Sequence, residues 1–96
     1  MSPINKKKLD LLRLKLDNLD NQLLKLIKIR SNLVNDVLKL KIYKKEIIDH
    51  KRIKSILKKI KDKSIKFKID PKITNRIWKN MIWSFIDYEK RNFKKK

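Results

Sequence analysis

A seam of apolar positions runs along the first 40 residues of the chain. From Leu12 onward, positions 12, 16, 19, 23, 26, 30, 33, 37 and 40 are separated by alternating steps of four and three residues. Each of these positions is Leu or Val except position 30, which is Arg30. A period of 3.5 residues is the spacing of a coiled coil, so the pattern predicts a helix from about Lys8 to about Tyr43.

Two shorter helices are predicted after this rod and a loop at residues 44–48. Asp49 is a favourable N-cap for the second helix, whose apolar face holds Ile53, Ile56, Leu57, Ile60 and Phe67. Asp70-Pro71 places an N-cap before a proline at the first helical position, which predicts a third helix. Its apolar positions are Ile73, Ile77, Trp78, Met81, Ile82, Phe85, Ile86 and Phe93. The class is therefore all-α, with one long and two shorter helices.

The predicted rod is too long for a single compact chain of this size to cover. About 33 helical residues span roughly 50 Å at 1.5 Å per residue. A compact chain of 96 residues has a radius of gyration of only about 12.5 Å, hence a diameter near 32 Å. We therefore expect a second copy of the chain to cover the overhang, which makes a homodimer the simplest assembly.

Length and composition limit the function classes. The 96 residues predict one helical domain at residues 9–91, between basic tails at residues 1–8 and 92–96. The chain has no cysteine and a single histidine, His50, which is expected to face solvent at a helix start. A metal site, a disulfide framework and a catalytic triad are therefore not expected. With no signal peptide and no apolar run of about 20 residues, a cytoplasmic protein without a membrane span is expected.

The net charge of +19 has two interpretations. It can indicate a polyanionic partner, either nucleic acid or an acidic membrane. It can also result from compositional bias, because the 24 Lys, 15 Ile and 8 Asn residues all have A/T-rich codons, while Gly and Ala are absent. Bias is the preferred interpretation for most lysines, and the five arginines carry more information. Trp78 and Trp83 could stack on bases, but core or dimer contacts are the preferred interpretation.

Several charged residues lie where apolar residues are expected. Arg30 occupies the seam, Arg13 lies beside it 17 residues earlier, and Lys41 follows Arg30 by close to three turns. Glu89 follows Ile82 and Ile86 on the apolar face of the third helix, so its carboxyl group should be paired or protonated. Arg30 could pair with such an acid and fix the helix register. Alternatively, a polar cavity lined by Arg13, Arg30, Lys41, Arg52 and Glu89 could bind a small dianion.

At this point the sequence resembles a known family. The segment LDLLRLKLDNLDNQLLKLIKIRSNLVNDVLKLK is similar to the first helix of the all-helical chorismate mutases, with its Leu-Asp-x-Leu-Asp block and two arginines 17 residues apart. The segments IIDHKRI and IDPKITNRIWKNMIWSFIDYEKR resemble the family's Asp-x-x-Arg motif and third helix. The resemblance covers about residues 9–91. It implies an intertwined homodimer of three-helix chains that rearranges chorismate to prephenate, in aromatic amino acid biosynthesis, without a cofactor.

The resemblance also implies a role for each site residue. Arg13 would reach one substrate carboxylate from the partner chain, and Arg30 would bind a carboxylate within its own chain. Lys41 and Glu89 would contact the ether oxygen from opposite sides as the catalytic pair. Asp49, Arg52 and Phe85 complete the expected substrate-binding set. Asp49 would lie near the ring hydroxyl, and Arg52 would help to hold or enclose the substrate. The reaction is pericyclic, so positioning the dianion and stabilising the growing negative charge on oxygen suffice.

Two departures from the family pattern keep an alternative open. The family usually has Glu after the residue equivalent to Arg52, where this chain has Ile53. Some members have Ser at the position of Phe85. Isochorismate-pyruvate lyase, which has a similar fold and cation set, tends to have an aliphatic residue at the first position and forms salicylate and pyruvate. A basic helical nucleic-acid-binding protein is the alternative without enzymatic activity, and nucleic acid is the less expected partner.

Overall fold

The computed structural model describes residues 1–94, and every element in this part of the chain is helical. Helix α1 spans Pro3–Leu40, α2 spans His50–Lys66 and α3 spans Pro71–Asn92. A three-residue 3₁₀ helix, Lys44–Glu46, interrupts the predicted loop between α1 and α2. The all-α class with one long and two shorter helices is confirmed. The part of the predicted basic C-terminal tail at residues 95–96 lies outside the described residues.

Helix α1 begins five residues before the predicted start. Ser2 is its N-cap: the Ser2 hydroxyl accepts a hydrogen bond of 3.1 Å from the backbone N–H of Asn5. Pro3 then occupies the first helical position, where the missing N–H has no consequence and the fixed φ angle suits the helix. The lysines at positions 6–8, within the predicted basic tail, are therefore helical and exposed.

Helix α1 also ends earlier than predicted, at Leu40, because the carboxylate of Glu46 binds the backbone N–H groups that follow. Glu46 Oε2 accepts hydrogen bonds from the N–H groups of Ile42, at 2.7 Å, and Tyr43, at 2.8 Å. These two bonds hold the pKa of Glu46 below its ordinary value. Because the folded state prefers the ionised form, this cap stabilises the fold above the ordinary carboxyl pKa and is lost as pH falls through the lowered one. Lys41 therefore lies just past the helix, and a helical projection from Arg30 does not give its direction.

The two shorter helices have the N-caps that the sequence predicts. Asp49 accepts a hydrogen bond from the backbone N–H of Arg52 at 3.0 Å, and Asp70 accepts one from Lys72 at 2.9 Å. Phe67, predicted on the apolar face of α2, instead lies beyond its last residue and is exposed. Its position follows from the reversal of the chain at the next residue.

The turn between α2 and α3 is a Schellman motif built without glycine. Lys68 has a φ angle of 58°, in the left-handed region that glycine normally occupies. The N–H of Ile69 bonds the carbonyl of Ser64 at 2.8 Å, and the N–H of Lys68 bonds that of Ile65 at 3.1 Å. These two bonds satisfy carbonyl groups that have no partner within α2, and the chain then reverses direction and enters α3.

The chain divides into two compact units, Met1–Leu33 and a second that begins at Val34. The second unit contains a small core of Leu38, Ile47, Ile82 and Ile86. Ile53, Ile56 and Leu57 of α2 and Phe93 pack against this core. Between α2 and α3, the hydroxyl oxygens of Ser64 and Thr74 lie 2.7 Å apart, and both residues are buried. A polar contact therefore supplements the apolar packing of these two helices.

The first unit is a single helical segment of α1. Its seam residues Leu12, Leu16, Leu19, Leu23, Leu26 and Leu33 are exposed. Leu19 and Leu23, with 50% and 48% of their surface accessible, are the least exposed of these six. The helix thus has the periodicity of a packed seam while the isolated chain leaves that seam in contact with solvent. No helix in the described part of the chain is long and apolar enough to cross a membrane.

Candidate active site

An ion pair of the second unit joins Lys41 to Glu89. Lys41 Nζ donates a hydrogen bond of 2.9 Å to Glu89 Oε1, across 48 residues of sequence. The Lys41 side chain is 18% exposed and that of Glu89 is 7% exposed. A charged pair so well removed from solvent requires both partners, because either charge alone would be poorly compensated. The expectation that Glu89 is paired agrees with this geometry.

Local structure on both sides fixes the positions of these two groups. Glu89 lies one turn beyond Ile86 and two turns beyond Ile82 on α3, so it extends the buried face of that helix. Lys41 is held by the end of α1, where its backbone N–H bonds the carbonyl of Leu38 at 3.1 Å. The carboxylate of Glu46 then captures the next two N–H groups. The polypeptide around Lys41 is thus fixed at the point where it leaves the helix.

Glu46 holds the backbone next to Lys41 and is not among the site residues that the sequence predicts. Its exposure and its distance from the apolar seam gave no functional signal. The sequence does contain a local signal for this contact, since Glu46 follows Ile42 by four residues and Tyr43 by three, just beyond the end of α1. Such an acid can accept both N–H groups, as Glu46 does for Tyr43 and Ile42.

Asp49 contacts the backbone of Arg52 at the start of α2. The carboxylate of Asp49 accepts the N–H of Arg52, so one Asp49 oxygen serves as the helix cap. The Arg52 side chain is exposed, and His50 is exposed as expected. Ile53, which replaces the family's usual Glu, packs against the apolar core of the second unit. An aliphatic side chain at this position therefore has a packing role.

The remaining site positions lie on α3 and on α1. Phe85 is half-buried on α3, one turn before Glu89. Trp78 is half-buried as well, whereas Trp83 is 48% exposed. In the first unit, Arg13 is exposed and Arg30 is half-buried, although its seam neighbours Leu26 and Leu33 are exposed. Among the predicted site residues, hydrogen bonds join Lys41 to Glu89 and Asp49 to the backbone of Arg52.

Comparison with known families identifies the family of the chain. The profile of the family described as Chorismate mutase type II matches residues 12–90. No curated protein and no solved structure gives a significant match. Since the matched segment covers well over half of the chain, the chain belongs to the type II chorismate mutase family, whose activity is that of an isomerase. The resemblance noted in the sequence, and the expectation of an enzyme of this class, are confirmed.

Proposed function

We propose that the chain converts chorismate to prephenate as a homodimer, in a cationic site that includes Lys41 and Glu89. The observation that carries this proposal is the sequestered Lys41–Glu89 pair in a chain of the chorismate mutase family. The rearrangement needs no nucleophile, so a site of oriented cations and hydrogen-bond donors is sufficient chemistry. In this scheme chorismate is the dianionic substrate, and no cofactor takes part.

The exposed seam of α1 supports the homodimer. Helix α1 has 38 residues and is therefore about 57 Å long. A second copy would cover Leu12, Leu16, Leu19, Leu23 and Leu26, whose 3.5-residue spacing matches helix-on-helix packing. In the dimer, Arg13 is proposed to reach the site of the partner chain. The dimer would thereby complete two identical sites.

Each cation would contact a different charged part of the substrate. Arg13 and Arg30 are proposed to hold the two carboxylates, since a guanidinium group binds a carboxylate with two parallel hydrogen bonds. Lys41 would donate to the ether oxygen as the C–O bond lengthens and negative charge develops there. Arg52 and Asp49 would enclose the ring side of the substrate, with Phe85 as an apolar wall.

The Lys41–Glu89 bond has a consequence for this mechanism. An ether oxygen that accepts a hydrogen bond of about 2.8 Å from each residue would hold the two side-chain ends up to about 5.6 Å apart. They are 2.9 Å apart in the free chain. Substrate would therefore have to separate them, and Glu89 would have to carry a proton in order to donate. Lys41 would then redirect its hydrogen bond from the carboxylate to the substrate.

The Glu89 role predicts a distinctive pH dependence. A carboxyl group donates a hydrogen bond only while it carries its proton, whereas an amide donates at every pH, so Glu89→Gln should give a flatter dependence of activity on pH than the unchanged chain. Initial rates of chorismate loss between pH 5 and pH 9 measure this effect. Profiles of identical shape in the two proteins would count against Glu89 as a hydrogen-bond donor to substrate.

The Arg30 role is tested by comparison with an arginine outside the site. Arg30→Ala should lower kcat/KM by about a thousandfold, because a carboxylate in a dry site would lose a bidentate partner worth about 4 kcal/mol. Arg76→Ala, at an exposed position of α3, is the matched control and should change kcat/KM less than twofold. Equal turnover by the two variants would reject the assignment of Arg30.

A specific observation keeps the lyase as a second candidate. Ile53 stands where the mutases usually offer a carboxylate to the ring hydroxyl, and it packs against the core. Separate incubation with chorismate and isochorismate, followed by product identification, distinguishes the two reactions. Prephenate from chorismate supports the mutase. Salicylate and pyruvate formed from isochorismate alone would replace it with the lyase.

A further inference from the structure

The positive charge is distributed unevenly over the three helices. Helix α2 carries eight Lys or Arg residues and one Asp, a net charge of +7 in 17 residues. Helix α1 has a net charge of +5 in 38 residues, and α3 has +3 in 22 residues. A general bias toward lysine codons would raise the charge of all three helices alike. The concentration of charge on α2 therefore needs an additional explanation.

Four lysines of α2 lie along one side of the helix. Lys51, Lys54, Lys58 and Lys61 follow one another at steps of three, four and three residues, and all are exposed. Lys72, at the start of α3, lines one cleft together with Lys58 and Lys61. These five residues are called the basic surface. Within residues 1–94, no carboxylate lies within 4.0 Å of any of their ammonium groups.

We propose that the basic surface binds the phosphate backbone of duplex nucleic acid. The ten-residue separation of Lys51 and Lys61 corresponds to about 15 Å along the helix axis. One strand of a B-form duplex presents a phosphate about every 3.4 Å along its axis, so about four phosphates pass this length. The four lysines lie about 4.5–6 Å from one another along the helix, and their long side chains allow each to reach a different phosphate of the backbone, while Lys72 supplies a fifth charge beside them. The proposal does not rest on the proposed enzymatic activity.

The structure favours nucleic acid over a membrane surface. A membrane-bound amphipathic helix turns its apolar side toward lipid. In α2 the apolar residues Ile53, Ile56 and Leu57 pack against the core of the second unit instead. The outward side is charged along its length, and the exposed apolar residue Ile65 lies only at its end. Phosphate contact without insertion of apolar side chains is what this face offers.

Salt-dependent binding of a labelled 20-base-pair duplex tests the proposal with matched variants. The variant under test carries Lys51, Lys54, Lys58 and Lys61 changed to Gln, and the control carries Lys6, Lys7, Lys8 and Lys15 changed to Gln. Both lose four charges from exposed helical positions. Loss of four phosphate contacts should reduce the slope of log K against log salt concentration by about 3.6. The control should retain the slope of the unchanged chain to within about one.

Three results would overturn the proposal. Equal losses of slope in the two variants would assign binding to net charge alone. No measurable duplex binding by the unchanged chain at 50 mM salt would exclude the partner. Tighter binding to vesicles containing anionic lipid than to the duplex, with the same dependence on the basic surface, would assign the surface to membranes. Circular dichroism of each variant checks that the total helical content is unchanged.

Discussion

The two units of this chain have opposite relations to solvent. In the second unit, Ile82 and Ile86 are each 6% exposed, and the core to which they belong draws on α1, α3 and the segment between α1 and α2. In the first unit, Leu19 has an equally favourable position in its own repeat and is 50% exposed. The apolar periodicity of a helix therefore predicts that one face is buried, but it does not identify the element or chain that covers this face.

The same contrast separates the charged residues. Lys41 and Glu89 form a pair that is largely withdrawn from solvent, whereas the Arg91–Asp87 pair is 65% and 68% exposed. An exposed pair one turn apart contributes only about 0.3–0.5 kcal/mol. A sequestered pair costs several kcal/mol when one partner is removed. The chemistry proposed for this chain depends on the second kind of pair, and on cations of the first unit that a partner chain would enclose.

The largest expected effect comes from charging the seam of the first unit. Leu19→Lys combined with Leu26→Lys should abolish the proposed homodimer, weakening association by about a thousandfold or more, because two lysines would replace leucines that the dimer would bury, at a cost of about 4 kcal/mol or more. Sedimentation equilibrium measures the mass directly. Chorismate turnover should fall with the dimer, since each proposed site needs Arg13 of the other chain.

The control for the seam variant lies on the same helix. Leu14 and Leu24 are 59% and 63% exposed, close to the 50% and 61% of Leu19 and Leu26, but they lie off the seam. Leu14→Lys combined with Leu24→Lys should leave the dimer intact. A monomer in both variants, or a dimer in both, would contradict the assignment of the seam to the interface.

The sequence predicted what depends on local pattern. The 3.5-residue repeat identified α1, and the caps at Asp49 and Asp70 set the starts of α2 and α3 correctly. It failed where a helix end depends on a side chain further along the chain, as at Leu40, where Glu46 captures the free N–H groups. The lysines after Ser2, which the composition placed in a basic tail, follow a helix start at Ser2-Pro3.

For the site, pattern gave the residue types but not their partners. The pattern identified Glu89 as an acid on an apolar face, with Arg30 as one expected partner. That the carboxylate accepts a hydrogen bond from Lys41, 48 residues away, depends on how α3 packs against the end of α1. No spacing rule connects residues so far apart. The roles of Arg13 and Arg30 depend in turn on an assembly that a single sequence does not specify.

A smaller effect distinguishes the buried contact of the second unit from its exposed counterpart. Ser64→Ala should destabilise the fold by about 1 kcal/mol, because the buried Thr74 hydroxyl would lose its 2.7 Å contact. Ser64 also donates to the carbonyl of Ile60 at 2.6 Å, and Ser84 donates likewise to that of Asn80 at 2.7 Å. Ser84 is exposed, however, and within residues 1–94 it has no counterpart of the Thr74 contact. Ser84→Ala should be neutral or slightly stabilising, since Ala is the better helix former. Thermal unfolding of the two variants gives the difference, and equal shifts in Tm would contradict the buried pair.

The smallest expected effect is a gain of stability at the turn after α2. Lys68 holds a left-handed conformation, which costs a residue with a Cβ about 1–2 kcal/mol. Lys68→Gly removes that cost but adds about 0.5–1 kcal/mol of chain entropy in the unfolded state, so the net gain should be about 0.5–1 kcal/mol. Lys66→Gly, two residues earlier and still in the helix, should instead lose about 1 kcal/mol. Urea unfolding of both variants measures the opposite signs, and a loss in each would mean that Lys68 does not hold the left-handed turn in solution.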